Sequence, residues 1–401
     1  MRVVLTTESY LPYLSGVTVS VDALARGLGA AGHEVLVMAP APAPGAEIRP
    51  IGSPGPDPRH AWLPSYQPAM VAPPDYRMPW PNPVAGALSE ARGFRPDVVH
   101  AHSPFVTGLL ARRLAHDAGA PLVFTHHTRF GDYAHYLGPL AAPGRAVTEA
   151  YLHGFWRGCA AIVAPSVDLA DAIRGALGSA PSKPTVHVIP TGIDVAGIRG
   201  LRAVDPRAAA GWPPDSVVVA SLGRLAPEKS PGVLLDALAM AAARVPELRG
   251  IVVGGGPSEV EMRARAARSD LTGKVVLTGA LPRPEALATI AGADVFLFTS
   301  RTETQGLVLA EALSAGLPSV AVDGPGVRDS VRDGVDGLLV PAEPADSLVE
   351  RLAATLAALV VDPERRAGMA ARARADADRF SEERRVAETE AVYRSLVTRI
   401  A

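Results

Sequence analysis

Short apolar segments the size of β-strands alternate with helix-sized segments along most of this chain, and no other feature limits the fold so strongly. A first series contains RVVLTT, HEVLVMAP, PDVVHAHS, PLVFTHHT, AIVAPS and VHVIPTG, and a second contains SVVVASLGRL, RGIVVGGG, KVVLTGAL, ADVFLFTS, PSVAVDG and GLLVP. Strands that alternate with helices form parallel sheets covered by helices on both faces. The two series therefore predict an α/β protein with two Rossmann-like domains.

The positions of the two series suggest the domain boundaries. We expect an N-terminal Rossmann-like domain over residues 1–190 and a C-terminal one over residues 191–375. Residues 376–401 are predicted to form a C-terminal helix that packs back on the first domain. Segment 40–83 is dense in proline, which cannot donate a ladder hydrogen bond, so it is predicted to be irregular with one or two short edge strands.

Composition argues against several classes of protein. A net charge of −2 over 401 residues disfavours a nucleic-acid-binding protein. Cys159 has no second cysteine to pair with, which favours a reducing cytoplasm. No segment approaches the ~18 apolar residues of a membrane span, and MRVVLTTESY turns polar too soon for a signal peptide. We expect a cytoplasmic protein whose contact with a membrane, if any, is peripheral and on the cytoplasmic face.

Polar residues follow directly after the strands of the second series. Arg224 and Lys229 lie in GRLAPEKS, a glycine run opens GGGPSE, and Glu303 lies in SRTETQG. In open parallel sheets, ligands bind at the carboxyl ends of the strands. The N-termini of helices also attract phosphate. Cations and helix N-termini at one sheet edge predict a diphosphate site, and a carboxylate such as Glu311 suits a ribose diol.

The same stretches resemble a known family. GRLAPEKS, VGGGP and the E-x7-E spacing of ETQGLVLAE, with YLPYLSGV near the start, are similar to the retaining glycosyltransferases of family four. The resemblance covers essentially the whole chain except the proline-rich segment. It implies the GT-B fold, in which an acceptor-binding domain and a nucleotide-sugar-binding domain face a central cleft. It also implies a sugar-nucleotide donor, no cofactor and no metal on the diphosphate.

The resemblance assigns roles to residues of the second domain. Arg224 and Lys229 would hold the donor diphosphate and neutralise the leaving group. Glu311 would bind the ribose, and Glu303 would contact the hydroxyls of the transferred sugar. The other donor-binding candidates are Gly16 in the first loop, Gly255, Thr304, Gln305, Gly306 and Leu307.

Two adjacent histidines in VFTHHTRFGDYAHYL are candidates for the active-site histidine that the resemblance implies. Alternation along a strand sends neighbours to opposite faces, so only one of them can point into the site. We assign the role to His127 rather than His126. The catalytic candidates are then His127, Glu303, Arg224 and Lys229, although both histidines are also compatible with packing or loop roles.

TETQGL and HHTRFGDYAHYL are similar to the bacterial 1,2-diacylglycerol 3-glucosyltransferases, which makes Tyr133, His135 and Tyr136 acceptor candidates. His126 replaces a usual tyrosine and Glu8 a usual aspartate, so the acceptor is less firmly indicated than the fold.

A lipid acceptor would require a surface that meets the membrane. TEAYLHGFWRG places Phe155 and Trp156 near one side of a helix, and LLARRLAHDAG adds the basic pair Arg112 and Arg113. An interfacial helix has this pattern. An ordinary packing helix has it too, and packing is the interpretation that we favour.

The predicted reaction is retaining transfer of a hexose, with glucose from UDP-glucose and a lipid such as diacylglycerol as the first choices. Alternatives within the family are a phosphatidylinositol, polyprenol or small-molecule acceptor, or a GDP-mannose donor. A UDP-sugar 2-epimerase would share the architecture but lack the E-x7-E pair, and a non-catalytic binder would not need His127. A dehydrogenase is disfavoured because no G-x-G-x-x-G follows the first strand.

Overall fold

The computed structural model describes residues 1–48, 55–68, 75–80, 84–128, 141–178, 183–301 and 303–400. The chain divides into two compact units. The first comprises Met1–Ile193 and Ser381–Ala401, and the second comprises Asp194–Phe380. The boundaries expected from the sequence, after residues 190 and 375, lie slightly before these.

The first unit is built on parallel strands with helices between them. Its strands are β1 (Arg2–Thr6), β2 (Glu34–Pro40), β3 (Arg59–Leu63), β4 (Ser65–Tyr66), β5 (Met78–Pro79), β6 (Val98–Ala101), β7 (Leu122–Thr125), β8 (Ala161–Ala164) and β9 (Thr185–Val188). Its helices up to β9 are α1 (Gly16–Ala30), α2 (Ala85–Gly93), α3 (Val106–Ala118), α4 (Ala141–Trp156) and α5 (Val167–Leu177).

Seven of these strands form one parallel sheet in the order β3-β2-β1-β6-β7-β8-β9. The chain adds β2 and β3 on one side of β1 and then continues with β6 on the other side. The strand order therefore reverses between β1 and β6. Among its described residues, the proline-rich segment supplies β3 at the edge of this sheet and the antiparallel pair β4–β5. These are three short strands where one or two were predicted.

Both faces of the first sheet are buried, because its strands are apolar at successive positions. Val3 and Leu5 pack in a core shared with α1. Val4, between them, packs in the opposite core, which is shared with α2, α3, α4 and α5. Helix α1 begins where the side chain of Ser15 accepts a hydrogen bond from the backbone N–H of Thr18, which satisfies one of the free donors of the first turn.

The second unit repeats this architecture. Its strands are β10 (Val217–Leu222), β11 (Leu248–Val253), β12 (Val275–Gly279), β13 (Val295–Phe298), β14 (Ser319–Asp323) and β15 (Gly337–Pro341). Its helices are α6 (Val195–Gly200), α7 (Pro206–Ala210), α8 (Pro231–Arg244), α9 (Glu259–Ala266), α10 (Arg283–Ala291), α11 (Leu307–Ser314), α12 (Leu348–Val360) and α13 (Pro363–Ala375). The parallel sheet has the order β12-β11-β10-β13-β14-β15, so its strand order reverses between β10 and β13.

The last helix, α14 (Glu382–Ile400), belongs to the first unit. Val386 and Tyr393 of α14 lie in the same core as α1. The Tyr393 side chain is fully buried, and its hydroxyl lies 2.5 Å from Nδ1 of His100. No helix in the described part of the chain combines the length and apolarity that a bilayer crossing requires.

Candidate active site

Two of the predicted donor-binding residues lie at the point where the second sheet reverses its strand order. Lys229 lies on the loop after β10 and Glu303 on the loop after β13, and these strands are neighbours. Their side chains form an ion pair, with 2.6 Å between Nζ of Lys229 and Oε1 of Glu303. Ligands of doubly wound sheets bind in the crevice at such a reversal. The strand-end argument therefore places both residues where a ligand site is expected.

A glycine run supports the loop that carries Arg224 and Lys229. Gly254 has φ of +139°, and a Cβ atom there would lie 1.9 Å from the carbonyl oxygen of Gly223. Only glycine therefore allows the two loops to approach so closely. The backbone N–H of Leu225 then donates to the carbonyl of Gly255 at 3.0 Å. The run thus holds the loop in place, while the Arg224 side chain is 67% exposed and lies 4.0 Å from Oε1 of Glu228.

The N-terminus of α11, which follows SRTETQG, is also predicted to attract phosphate. Gly306 precedes the helix with φ of +71°, in the left-handed region that favours glycine, and Leu307 is the first helical residue. Gln305 is buried, and its carbonyl accepts a hydrogen bond from the hydroxyl of Ser330 at 3.2 Å. Thr304 is half-buried between Glu303 and Gln305. The backbone that leads into α11 is thereby fixed beside the ion pair.

Glu311 lies one turn into α11 and is fully buried. Its Oε1 pairs with the guanidinium of Arg283, the first residue of α10. Burial raises the pKa of Glu311, and the charge of Arg283 opposes that rise. Its Oε2 has no hydrogen-bond partner among the described residues. A buried, unpartnered carboxylate oxygen is costly, so this atom is suited to accept hydrogen bonds from a ligand.

Arg283 is a residue that the sequence reasoning missed. A signal was available, because LPRPE follows the strand KVVLTGAL directly and so places an arginine at the same sheet edge. In the structure, β12 lies two strands away from the reversal point between β10 and β13.

In the first unit, Glu8 and Gly16 lie near the corresponding reversal between β1 and β6. Oε1 of Glu8 accepts a hydrogen bond from the backbone N–H of Thr107 at 3.2 Å, at the start of α3. Burial raises the pKa of Glu8, and its hydrogen bonds to Ser103 and to the start of α3 oppose this. Gly16, which the sequence places in the first loop, is instead the first residue of α1.

The two adjacent histidines face different surroundings. His126 is buried, and its ring meets Phe124 and Trp156 edge-on. His127 is half-buried, and its Nε2 lies 2.9 Å from Nδ1 of His102. The sequence reasoning did not select His102, although PDVVHAHS places a histidine directly after a strand.

The packing interpretation of α4, which the sequence favours, is confirmed for its aromatic residues, and the interfacial alternative is wrong for them. Phe155 is 2% exposed and Trp156 is 8% exposed, and both lie in the core between α4 and the sheet. An amphipathic helix covers whichever apolar surface is available, and here that surface is the sheet. Arg112 and Arg113 on α3 are exposed.

The acceptor candidates Tyr133, His135 and Tyr136 lie outside the described residues. Within the described ranges, no group of three or more histidine, cysteine, aspartate or glutamate side chains is arranged to hold a metal ion.

Three histidines of the first unit, the buried His100 and His102 and the half-buried His127, determine an expected pH dependence. Burial lowers the pKa of His100 to about 3, that of His127 to about 4 and that of His102 well below its usual range. In the unfolded chain a histidine protonates below a pH of ~6.5. Between about pH 6.5 and 4 the unfolded state therefore binds more protons than the folded state, so stability falls as the pH is lowered through this window.

We expect His102→Asn, which removes one of these groups, to flatten the dependence of the urea-unfolding midpoint on pH between about 6.5 and 4. The slope of the unfolding free energy against pH should decrease by at most ~1.4 kcal/mol per pH unit, which corresponds to one bound proton. His116→Gln, at an exposed position, is the matched control and should leave the slope unchanged. The raised pKa values of Glu8 and Glu311 change the pH dependence of stability in the opposite direction. They contribute equally to every variant, so the slopes are compared between variants. Equal slopes for wild type and His102→Asn would contradict the buried, neutral state of His102.

Comparisons with known proteins agree with this architecture. The family model described as Glycosyltransferase Family 4 matches residues 14–196, and that described as Glycosyl transferases group 1 matches residues 205–376. The alpha-monoglucosyldiacylglycerol synthase of Streptococcus pneumoniae is 28% identical over 364 residues, which cover 88% of this chain and 79% of the relative. The GDP-mannose-dependent alpha-mannosyltransferase of Mycolicibacterium smegmatis is 32% identical over 374 residues, covering 93% and 92%.

A solved structure extends the likeness to the fold. The HepE protein of Anabaena, in a crystal structure with UDP, superposes with a TM-score of 0.70 at 21% identity, covering 98% of this chain and 100% of the other. The prediction made from the motifs is therefore confirmed: the chain is a glycosyltransferase that belongs to group 1 and family 4 of these enzymes and has the GT-B fold.

Proposed function

We infer that this glycosyltransferase transfers a hexose from a nucleotide sugar to a lipid acceptor with retention of configuration. Glucose from UDP-glucose and diacylglycerol are the first candidates. The observation that carries this proposal is the placement of Lys229, Glu303 and the N-terminus of α11 at the strand-order reversal of the second unit. The name of the Streptococcus pneumoniae relative supports glucose and diacylglycerol.

Each part of this site then has a role. Lys229 and Arg224 hold the diphosphate, together with the free N–H groups at the start of α11. The carboxylate of Glu303 pairs with the ammonium group of Lys229. When the donor binds, the phosphate takes the ammonium group, and Glu303 accepts hydrogen bonds from the sugar hydroxyls. Oε2 of Glu311 accepts from the ribose diol.

The remaining donor candidates act through their backbone. The chain from Thr304 to Leu307 is fixed beside the ion pair and can approach phosphate or sugar. Gly255 supports the cationic loop. Gly16, the first residue of α1, is proposed as a further donor contact through its backbone.

The proposed chemistry depends on fixed charges. Cations and helix N–H groups that are already in place stabilise the diphosphate as it leaves, without reorganising during the reaction. Among the described residues, His127 hydrogen-bonds to the His102 imidazole rather than to a carboxylate nucleophile. We therefore propose that the acceptor attacks from the face that the leaving group departs, with His127 contacting the transferred sugar.

A panel of donors tests this function. The full-length chain is incubated with UDP-glucose, UDP-galactose and GDP-mannose, with and without lipid extract, and both nucleotide release and sugar incorporation are measured. We expect UDP-glucose to transfer sugar to diacylglycerol. The second candidate is a GDP-mannose mannosyltransferase with a phosphatidylinositol, polyprenol or small-molecule acceptor. The name of the Mycolicibacterium smegmatis relative favours the GDP-mannose donor. Release of nucleotide without transfer to any acceptor would contradict the transferase proposal.

The proposal also predicts the effect of a chelator. Lys229, Arg224 and the N-terminus of α11 are proposed to neutralise the diphosphate. EDTA should therefore leave the initial rate of transfer nearly unchanged. The same rate is measured after added Mg²⁺ or Mn²⁺ as a control for residual metal. Strong inhibition by EDTA that either metal reverses would contradict the metal-free mechanism.

Membrane contact by the first unit is predicted to depend on Arg112 and Arg113. Each basic residue near an anionic surface is worth roughly 1 kcal/mol. Co-sedimentation with vesicles that contain anionic lipid should fall when both residues become glutamate. The control makes the same charge change at Arg384 and Arg394, which are exposed on α14. Binding that ignores lipid charge, or that falls equally in the control, would contradict this assignment.

A further inference from the structure

His102 lies where the first sheet reverses its strand order. It follows β6 directly, and its backbone N–H donates to the carbonyl of Thr6, the last residue of β1, at 2.8 Å. His127 follows the neighbouring strand β7, so the two rings meet at the same sheet edge. Nδ1 of His102 lies 2.9 Å from Nε2 of His127, and the rings are nearly parallel, at 21°.

Two imidazole nitrogens at hydrogen-bond distance need one hydrogen between them, and two arrangements can supply it. If Nε2 of His127 donates, His102 must carry its own hydrogen on Nε2. That atom is buried and has no hydrogen-bond partner among the described residues. If Nδ1 of His102 donates instead, Nε2 of His102 carries no hydrogen, and only its lone pair is left without a partner among the described residues. Buried N–H groups without an acceptor are rarer than under-satisfied acceptors, so the second arrangement is favoured.

His100 holds His102 in this orientation. Its ring packs on that of His102, with 4.3 Å between centroids. Both of its own nitrogens are engaged, Nδ1 with the Tyr393 hydroxyl at 2.5 Å and Nε2 with the Thr125 hydroxyl at 2.7 Å. The last helix of the chain, through Tyr393, therefore braces the ring that backs His102. Burial keeps the pKa values of all three histidines low, so the shared hydrogen lies between neutral rings.

We propose that His102 is a positioning residue that holds His127 in the tautomer with its hydrogen on Nδ1. His127 then offers an N–H donor, rather than a lone pair, through the nitrogen that His102 does not contact. With the proposed function, on which this last step rests, the group that His127 meets is a hydroxyl or phosphate oxygen of the donor. His127 is therefore assigned as a hydrogen-bond donor and not as a general base.

Nitrogen-15 NMR of the full-length protein with labelled histidine tests the tautomer without any substrate. The His127 signals are assigned by their loss in His127→Gln. We expect a protonated Nδ1 and an unprotonated Nε2 in wild type and in His102→Asn, whose amide can donate from the Nδ1 position. His102→Asp can only accept there, so it should reverse the His127 tautomer. A protonated Nε2 of His127 in wild type would overturn the proposal, whatever the activity.

Kinetics separate this inference from the proposed function. His102→Asn should keep kcat close to wild type, whereas His102→Asp should lower kcat about 10- to 100-fold with little change in KM, the scale typical when an orienting partner is lost. An unchanged kcat in His102→Asp with a reversed tautomer would overturn the positioning role. If the tautomers behave as expected but no donor is turned over by wild type, the proposed function fails while the tautomer assignment stands.

Discussion

Replacing Lys229 with alanine is expected to lower sugar transfer by a factor on the order of 10²–10³, the scale seen when one preorganised electrostatic group is removed from an active site. The ammonium group lies at the strand-order reversal of the second sheet and is held there by Glu303. A cation that is already in place stabilises charge on the leaving diphosphate without reorganisation. The loss should therefore persist in kcat at saturating donor.

Lys183→Ala is the matched control for this experiment. Lys183 is exposed in the first unit and donates only to the backbone carbonyl of Gly178 among its described contacts, so its removal should leave transfer unchanged. Arg224→Ala is predicted to act in the same direction as Lys229→Ala, through the more exposed cation of the same loop. Near-normal turnover of both variants at saturating donor would show that the diphosphate binds elsewhere.

Substitution of the two glutamates on either side of the start of α11 is expected to affect two different quantities, UDP affinity and turnover. Glu311→Gln should weaken binding of UDP itself by roughly 10- to 150-fold, because hydrogen bonds to a charged group contribute ~1.5–3 kcal/mol and a ribose diol is present in substrate and product alike. Glu303→Gln should leave UDP affinity nearly intact and cut turnover of the sugar nucleotide, because the lost contact is to the sugar and is expressed in the transition state.

Glutamine is chosen at both positions because it keeps the shape of the side chain. At Glu311 it also preserves an oxygen for Arg283, which limits the cost of leaving that guanidinium without its partner. Calorimetry with UDP, beside initial rates with UDP-glucose, distinguishes the two roles. An equal loss of UDP affinity in both variants would contradict the assignment of the ribose to Glu311 and of the sugar to Glu303.

The fold was predictable because each strand carries its own signal. Apolar segments bounded by polar loops mark a buried parallel strand wherever they occur, and the two series therefore predict two sheets. Strand order is a different matter, since it depends on how the segments pair in space. The adjacency of β10 and β13, which brings Lys229 to Glu303, is visible only in the structure.

The ambiguous and the missed residues share a physical cause, which is that a side chain's partner decides its role. An apolar helix face does not reveal whether lipid or a sheet will cover it, and Phe155 and Trp156 turned out to pack on the sheet. Arg283 and His102 carry weak signals of their own. They matter because of the groups they contact, the carboxylate of Glu311 and the ring of His127.

The central claim, that the chain transfers a hexose with retention, is tested most directly by the configuration of the product. The full-length protein is incubated with UDP-glucose and diacylglycerol vesicles, and the anomeric proton of the purified glycolipid is read by NMR. Because the sugar of UDP-glucose is α-linked, we predict an α-glucosyl product with the small coupling of an equatorial anomeric hydrogen. A β-linked product would contradict retention, and a chain that transfers sugar from neither UDP-glucose nor GDP-mannose would contradict the account as a whole.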